Sequence, residues 1–176
     1  MKTEMGKDEN HLVMLLLTTF EEKLAYLDAK IDRAHGEIYL PISNESEFRV
    51  WPQVLANSHD ASASYLTVQV GVRFPKVEAI LESLCEFQKR PFSWTLGCVL
   101  SDIDSSIPKE GWAVLNLPAS KNVINDAVLS VVKCAYPVLK HFSTLDELVN
   151  HIEGKKPPYL FERELRIPVI YALKRR

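Results

Sequence analysis

The sequence predicts an α+β fold, with a mostly antiparallel sheet of about four to six strands and helices packed against it. Short strand patterns are grouped in the middle of the chain, between helical patterns at either end. A length of 176 residues is enough for one domain with a real core and too short for two. We therefore expect residues 1–10 to form a flexible polar tail and residues 11–176 to form a single domain.

The first apolar segment of the chain is compatible with two structures. His11–Ala34 fits a helix that ends at Gly36. Alternatively, Leu12–Leu17 forms a strand and a helix begins near Thr19, because a short apolar run suits a buried strand or a buried helix equally well. A bilayer requires about 20 apolar residues. A run this short predicts no membrane span.

Three strands are predicted next. Glu37–Ile42 and Phe48–Val54 each contain a proline, and Pro41 and Pro52 therefore predict edge or irregular strands. Tyr65–Phe74 alternates strictly between apolar and polar residues, which is typical of a strand with one buried face.

A helix and two further strands follow the alternating segment. Pro75 is expected to open a helix that runs to about Phe87, because proline is tolerated at the first helical position. Ser93–Leu100 and Trp112–Leu117 have strand patterns and flank the polar loop Ser101–Gly111. This arrangement predicts that the two strands pair with each other in antiparallel fashion.

The C-terminal third is predicted to be helical. The longest helix covers Ser120–His141, with a kink expected at Pro137. A second helix is predicted over residues 144–154, bounded by a capping threonine and a glycine. The last predicted helix is Tyr159–Arg176, interrupted by Pro168.

Composition and motifs argue against several function classes. A net charge of −2 provides no bulk attraction to nucleic acid or to anionic membranes. The six glycines are dispersed and form no phosphate-binding loop. Cys85, Cys98 and Cys134 are odd in number and lack CxxC spacing, which predicts reduced thiols in the cytoplasm. We predict no cofactor, no nucleic-acid partner and no membrane partner.

No catalytic motif is recognisable in the sequence. Neither a GxSxG elbow nor an HExxH helix is present. An enzyme remains an alternative only through a site assembled in space, for which His59, Asp60, Arg49 and Cys98 are the residues to test.

Five residues are candidates for binding a partner. Arg49 and Trp51 form a mixed cationic and aromatic pair, the residue types most enriched at interface hot spots. Asp102, Asp104 and Glu110 lie in one loop, where they would complement a basic partner. Asp102 and Asp104 lack the glycine and glutamate that complete a calcium loop, so no metal site is predicted.

Four segments between Phe48 and Ile152 carry a resemblance. They are the aromatic-rich FRVWPQV, the glycine-containing YLTVQVGVRFP, WTLGCVL with a later tryptophan, and the closing AYPVLKHFSTLDELVNHI. Together they resemble a family of small bacterial proteins of unknown function. Similar proteins are encoded beside polymorphic or contact-dependent growth inhibition toxins. The resemblance rests on packing residues, implies no catalytic residues and ends before Lys155.

The sequence therefore leads to a ranked set of hypotheses. The first is a non-enzymatic immunity protein that binds and neutralises a cognate toxin domain. The alternatives are a homo-oligomeric scaffold or regulatory protein and, third, a small enzyme with an unrecognised site.

Overall fold

A computed structural model describes residues 7–56, 64–84, 94–114, 117–154 and 163–175. Its strands are β1 Lys30–Asp32, β2 Glu37–Pro41, β3 Glu47–Ala56, β4 Ser64–Arg73, β5 Leu96–Val99 and β6 Trp112–Val114. Its helices are α1 Lys7–Leu24, α2 Pro75–Leu84, α3 Leu100–Ile103, α4 Leu117–Ser130, α5 Tyr136–Leu139, α6 Leu145–Glu153 and α7 Arg163–Lys174.

The described strands form one antiparallel sheet in the order β1-β2-β3-β4-β5, with β6 also paired to β4. This confirms the predicted α+β fold and its antiparallel sheet. Strand β4 is the hub, because it pairs with β3 along its whole length and with β5 and β6 on its other side.

The sheet has one apolar face and one polar face. Ile38, Val50 and Val70 lie directly across from one another and are fully buried. Helix α1 packs on β2 and β3, and α4 packs on α1, so this apolar face lines the main core. The opposite side, which we call the second face, carries Tyr39, Arg49 and the other polar residues that alternate with the core residues.

The N-terminal segment is helical, which decides between the two predicted alternatives. The hydroxyls of Thr18 and Thr19 donate to carbonyls four residues earlier within α1, so neither residue caps a new helix. Helix α1 starts at Lys7, within the segment expected to be a tail, and residues 1–6 lie outside the described residues.

The predicted helical span to Ala34 is wrong beyond Leu24. A 3₁₀ turn follows, and Asp28 then adopts a left-handed backbone conformation that stops the helix. The chain continues as β1, and Gly36, with φ of 69°, lies in the β1–β2 turn instead of ending a helix.

Strand β3 lies between β2 and β4 over residues 47–50, so the predicted edge strand is wrong for that part. Pro52 itself lies where β3 has a strand on one side only among the described residues. Strand β2 pairs only with residues 47–50 of β3. Pro52 lies beyond that ladder, and its only register partner is in β4. A proline is tolerated there because the side without a described strand requires no N–H donor.

The predicted pairing of the fifth and sixth strands with each other is also wrong. Both pair with β4, β5 at residues 69–72 and β6 at residues 64–66. They therefore lie end to end along one side of β4, and residues 100–111 leave the sheet between them. We call residues 100–111 the excursion.

The C-terminal predictions are largely confirmed. A π-helical segment, Val131–Ala135, precedes Pro137, and its wider turn accommodates a ring that would crowd an α-helix. The side chain of Thr144 caps α6, and the backbone N–H of Gly154 closes it. The predicted interruption of the last helix at Pro168 is wrong, because α7 continues through that residue from Arg163 to Lys174. None of the helices in the described parts of the chain is long and apolar enough to cross a membrane.

A buried ion pair fastens α7 to the rest of the domain. The Arg166 guanidinium donates to Glu78 Oε1 at 3.0 Å and Oε2 at 2.9 Å, and Thr95 donates to the same carboxylate at 2.8 Å. Glu78 is 1% exposed and Arg166 is 5% exposed. Because both charges are desolvated, each depends on the other for compensation.

Substitution of Arg166 by methionine is expected to lower the free energy of unfolding by about 3–5 kcal/mol, because it leaves the Glu78 carboxylate buried without its cation. Arg33→Met is the matched control, since Arg33 pairs with Glu21 on the surface, and its loss should stay below about 1 kcal/mol. Urea unfolding measures both. Equal losses in the two variants would contradict this account of α7.

Candidate partner-binding surface

Arg49 lies at the centre of a charged cluster on the second face. Its Nη1 donates to Glu37 Oε2 at 2.7 Å and its Nη2 donates to Glu47 Oε2 at 2.6 Å. The side chains of Arg49 and Glu37 are 13% and 2% exposed. The guanidinium is therefore held in one orientation by Glu47 of its own strand and Glu37 of the neighbouring β2.

Trp94 completes the cluster by lying over Gly71. Its indole Nε1 donates to Glu37 Oε1 at 2.7 Å. A Cβ at residue 71 would stand 2.6 Å from Trp94 Cε3 and 2.3 Å from the Leu96 carbonyl oxygen. Glycine at this position therefore lets the indole lie on the sheet, where it supplies a second donor to the buried carboxylate.

Aromatic and amide side chains surround the charged cluster. The Arg49 Cζ lies 4.8 Å from the centroid of the Tyr39 ring, within the range of a cation–π contact. Gln69 donates to Gln53 at 3.2 Å on the same face. Tyr39 and Trp51 are half-buried, so part of each remains accessible beside the fixed guanidinium.

The electrostatics of the cluster are governed by the burial of Glu37. Burial raises the pKa of Glu37 above its ordinary value, and the Arg49 charge and the Trp94 hydrogen bond offset part of that rise. The carboxylate is therefore stable in its charged form only with its donors in place.

The excursion holds the three acidic candidates. Asp102 accepts from the Val99 N–H at 3.2 Å, and Glu110 is exposed. Asp104 accepts from the N–H and hydroxyl of Ser106 at 3.0 and 2.6 Å, and these bonds hold the pKa of Asp104 below its ordinary value.

Asp104 also connects the excursion to the π-helical segment. The Cys134 thiol donates to its Oδ2 at 3.5 Å. The excursion returns to the sheet at Gly111, whose φ of 92° and close approach to the Leu66 carbonyl require glycine. Asp104 thus has a structural role, whereas Asp102 and Glu110 present carboxylates at the surface.

The structure divides the five predicted binding residues into two groups. Arg49 and Trp51 are neighbours on β3, on the second face. Asp102, Asp104 and Glu110 lie together on the excursion along the far side of β4.

The residues of the enzyme alternative are not brought together among the described residues. His59 and Asp60 lie outside the described part of the chain. Arg49 is engaged by two glutamates. Burial, assisted by the Asp102 charge, raises the pKa of Cys98 to about 12, which leaves little thiolate at neutral pH. In the described ranges no group of three or more potential ligands could hold a metal ion.

Sequence reasoning missed Glu37, Glu47 and Trp94. Glu37 begins β2, as in the predicted strand Glu37–Ile42, and Glu47 begins β3, one residue before the predicted strand start at Phe48. An acid at the start of the adjacent predicted strand, Glu37, was the available signal for a partner of Arg49. Trp94 is buried against the second face, where it lies over Gly71.

Comparison of the chain with protein-family models, with curated proteins and with solved structures finds no match.

Replacement of Arg49 by methionine is expected to destabilise the protein by about 3 kcal/mol at neutral pH, because Glu37 loses its buried cation. The pKa of Glu37 is already raised, and the substitution raises it further. The penalty applies while Glu37 is charged, above its folded-state pKa. It is relieved as the pH falls towards the ordinary glutamate pKa, because Glu37 then becomes protonated and neutral. The stability gap to wild type should therefore narrow between pH 7 and pH 5.

Urea titrations at several pH values measure that gap. The double variant Glu37→Gln, Arg49→Met provides the control, because it contains no titrating group at position 37. Its stability relative to wild type should vary much less over the same interval. A gap that stays constant with pH in the single variant would argue against a buried, paired Glu37.

Cys98 is expected to be unreactive in the folded protein. In a Cys85→Ser, Cys134→Ser variant, a disulfide reagent at pH 8 should modify Cys98 on the order of a thousandfold more slowly than in urea, because the raised pKa removes the thiolate. Absorbance of the released thiolate follows the reaction. Similar modification rates in the folded and unfolded protein would show that Cys98 is reactive and would make it a candidate nucleophile.

Proposed function

We propose that this chain is a non-enzymatic protein-binding protein that neutralises a bacterial toxin domain, as the resemblance of its packing segments implies. The observation that supports a binding role is the fixed position of Arg49 between Glu37 and Glu47, with half-buried Tyr39 and Trp51 beside it. A preorganised guanidinium flanked by aromatic rings loses little conformational entropy on association.

The charge distribution suits a basic toxin domain. Asp102 and Glu110 are exposed on the excursion, where they would steer a positively charged partner towards the sheet. The partner would contact the second face through Trp51 and Arg49. Asp104 would act indirectly, by holding the excursion against the helical layer.

The proposal places the protein in the cytoplasm, where an immunity protein meets its toxin. Cys98 and Cys134 are free thiols, which is the usual state in a reducing compartment. A homo-oligomeric scaffold is the alternative, and sedimentation of the purified chain separates a monomer from a stable dimer.

Co-expression with the neighbouring open reading frame tests the proposal. We expect a one-to-one complex and restored growth of cells that express the neighbour. Trp51→Ala should weaken the complex at least about tenfold. Tyr26→Ala, an exposed aromatic next to α1, should leave it unchanged. A neighbour that is harmless, or that kills equally with and without this protein, would contradict the immunity function.

A further inference from the structure

Strand β3 continues past its neighbour on one side. Pairing with β2 stops at Val50, whereas pairing with β4 continues to Ala56. Residues 51–56 therefore have β4 on one side and, among the described residues, no strand on the other. We call this side of residues 51–56 the open edge.

The backbone direction of β3 shows which groups the open edge presents. Ser46, immediately before β3, accepts a hydrogen bond from the Ile42 N–H at 3.0 Å. Backbone groups alternate sides along an antiparallel strand, so the even-numbered residues of β3 face the β2 side. Pro52, Val54 and Ala56 thus direct their backbone groups to the β2 side, beyond the end of β2, where Pro52 is buried and Val54 is half-buried. Of these three residues, Pro52 alone lacks a donor.

The open edge has little of the usual protection against strand pairing. The sequence WPQVLA contains no charged residue, and Leu55 is 48% exposed. Sheet edges are commonly protected by charged residues, bulges or proline. Here Pro52 is the sole such device within residues 51–56. An edge with this composition favours the addition of another strand.

We propose that the open edge binds an extended segment of a partner protein, which adds to the sheet beside β3. This inference rests on the proposed partner-binding function and assigns it a surface and a binding mode. Backbone hydrogen bonds to Val54 and Ala56 supply the pairing, and alternate side chains of the segment contact Trp51 and Leu55. The partner segment is uncharged and rich in apolar residues where it faces Leu55.

A partner segment fits this edge better than a second copy of the chain. If the β3 edges of two molecules paired in antiparallel fashion, Pro52 of each molecule would lie in the same six-residue ladder. That ladder would lack two backbone N–H donors. A partner strand without proline meets only one missing donor. The open edge also adjoins Arg49 on the same strand, so one partner contacts both the edge and the second face.

Selection of random ten-residue peptides displayed on phage, against the full-length protein, tests the proposal without knowledge of the partner. We expect enriched peptides with alternating apolar residues and no proline in the middle. Synthetic copies should bind wild type, and Leu55→Lys should weaken them about tenfold, because it charges the edge. Val54→Pro removes the outward N–H and should have a similar effect.

Leu129→Lys is the matched control, because Leu129 is also 48% exposed but lies on α4. Thermal unfolding of each variant separates loss of binding from loss of folding. The proposal is overturned if no peptide is enriched, or if the peptides bind the Leu55 and Leu129 variants equally. A wild-type dimer that Leu55→Lys dissociates would also overturn it, in favour of self-pairing.

These outcomes are distinct from those of the co-expression experiment. If the neighbouring protein is neutralised and Leu55→Lys has no effect on that complex, the immunity function stands and the edge-binding mode is wrong. If the peptides bind at the edge but the neighbour is harmless, the edge-binding mode stands and the immunity function is wrong.

Discussion

The alternation of apolar and polar residues along β4 is the constraint on which the other elements depend. Leu66, Val68, Val70 and Val72 are buried against the helical layer. Because side chains alternate across a strand, the same backbone presents its remaining residues to the second face. The strand register gives β3 and β2 the same division of side chains between the two faces. A shift of β4 by one residue would move its apolar side chains to the second face and its polar side chains to the core.

The charged cluster follows from that register. Tyr39, Arg49 and Gly71 occupy one row across the second face, which brings the Arg49 guanidinium to Tyr39 and the Trp94 indole to Gly71. Burial of Glu37 costs free energy that its two hydrogen-bond donors, Arg49 and Trp94, offset only while they remain in place. The cluster holds the Arg49 guanidinium in one orientation. Such fixed geometry is the property that a binding surface requires.

The sequence predicted the elements better than it predicted their partners. Period-two alternation located β4 within one residue of its observed limits, and the capping pattern at Thr144 located α6. Local patterns contain no information on which strand fills which side of β4, so β5 and β6 were wrongly paired with each other. Arg49 and Trp51 were placed on one strand correctly, but Glu37 and Trp94 reach Arg49 only through tertiary structure.

Pro52 illustrates the same limit of prediction from local sequence patterns. Its sequence signal, a proline in a strand, predicts an edge, yet β3 lies between β2 and β4. The prediction fails for residues 47–50, where β2 pairs with β3, but β2 ends before it reaches Pro52. It holds locally, since from Trp51 onward one side of β3 has no strand among the described residues. Strand length, and not residue preference, therefore decides where the sheet ends.

Beyond Val50, one side of the β3 backbone pairs with no strand among the described residues. Residue-resolved amide hydrogen exchange in the free protein tests whether that side is open. The N–H groups of Gln53 and Leu55 face β4 and should be protected, whereas the N–H of Val54 should exchange at least about tenfold faster. Protection of Val54 equal to that of Leu55 would show that another part of the chain already pairs with this edge, and would contradict the account.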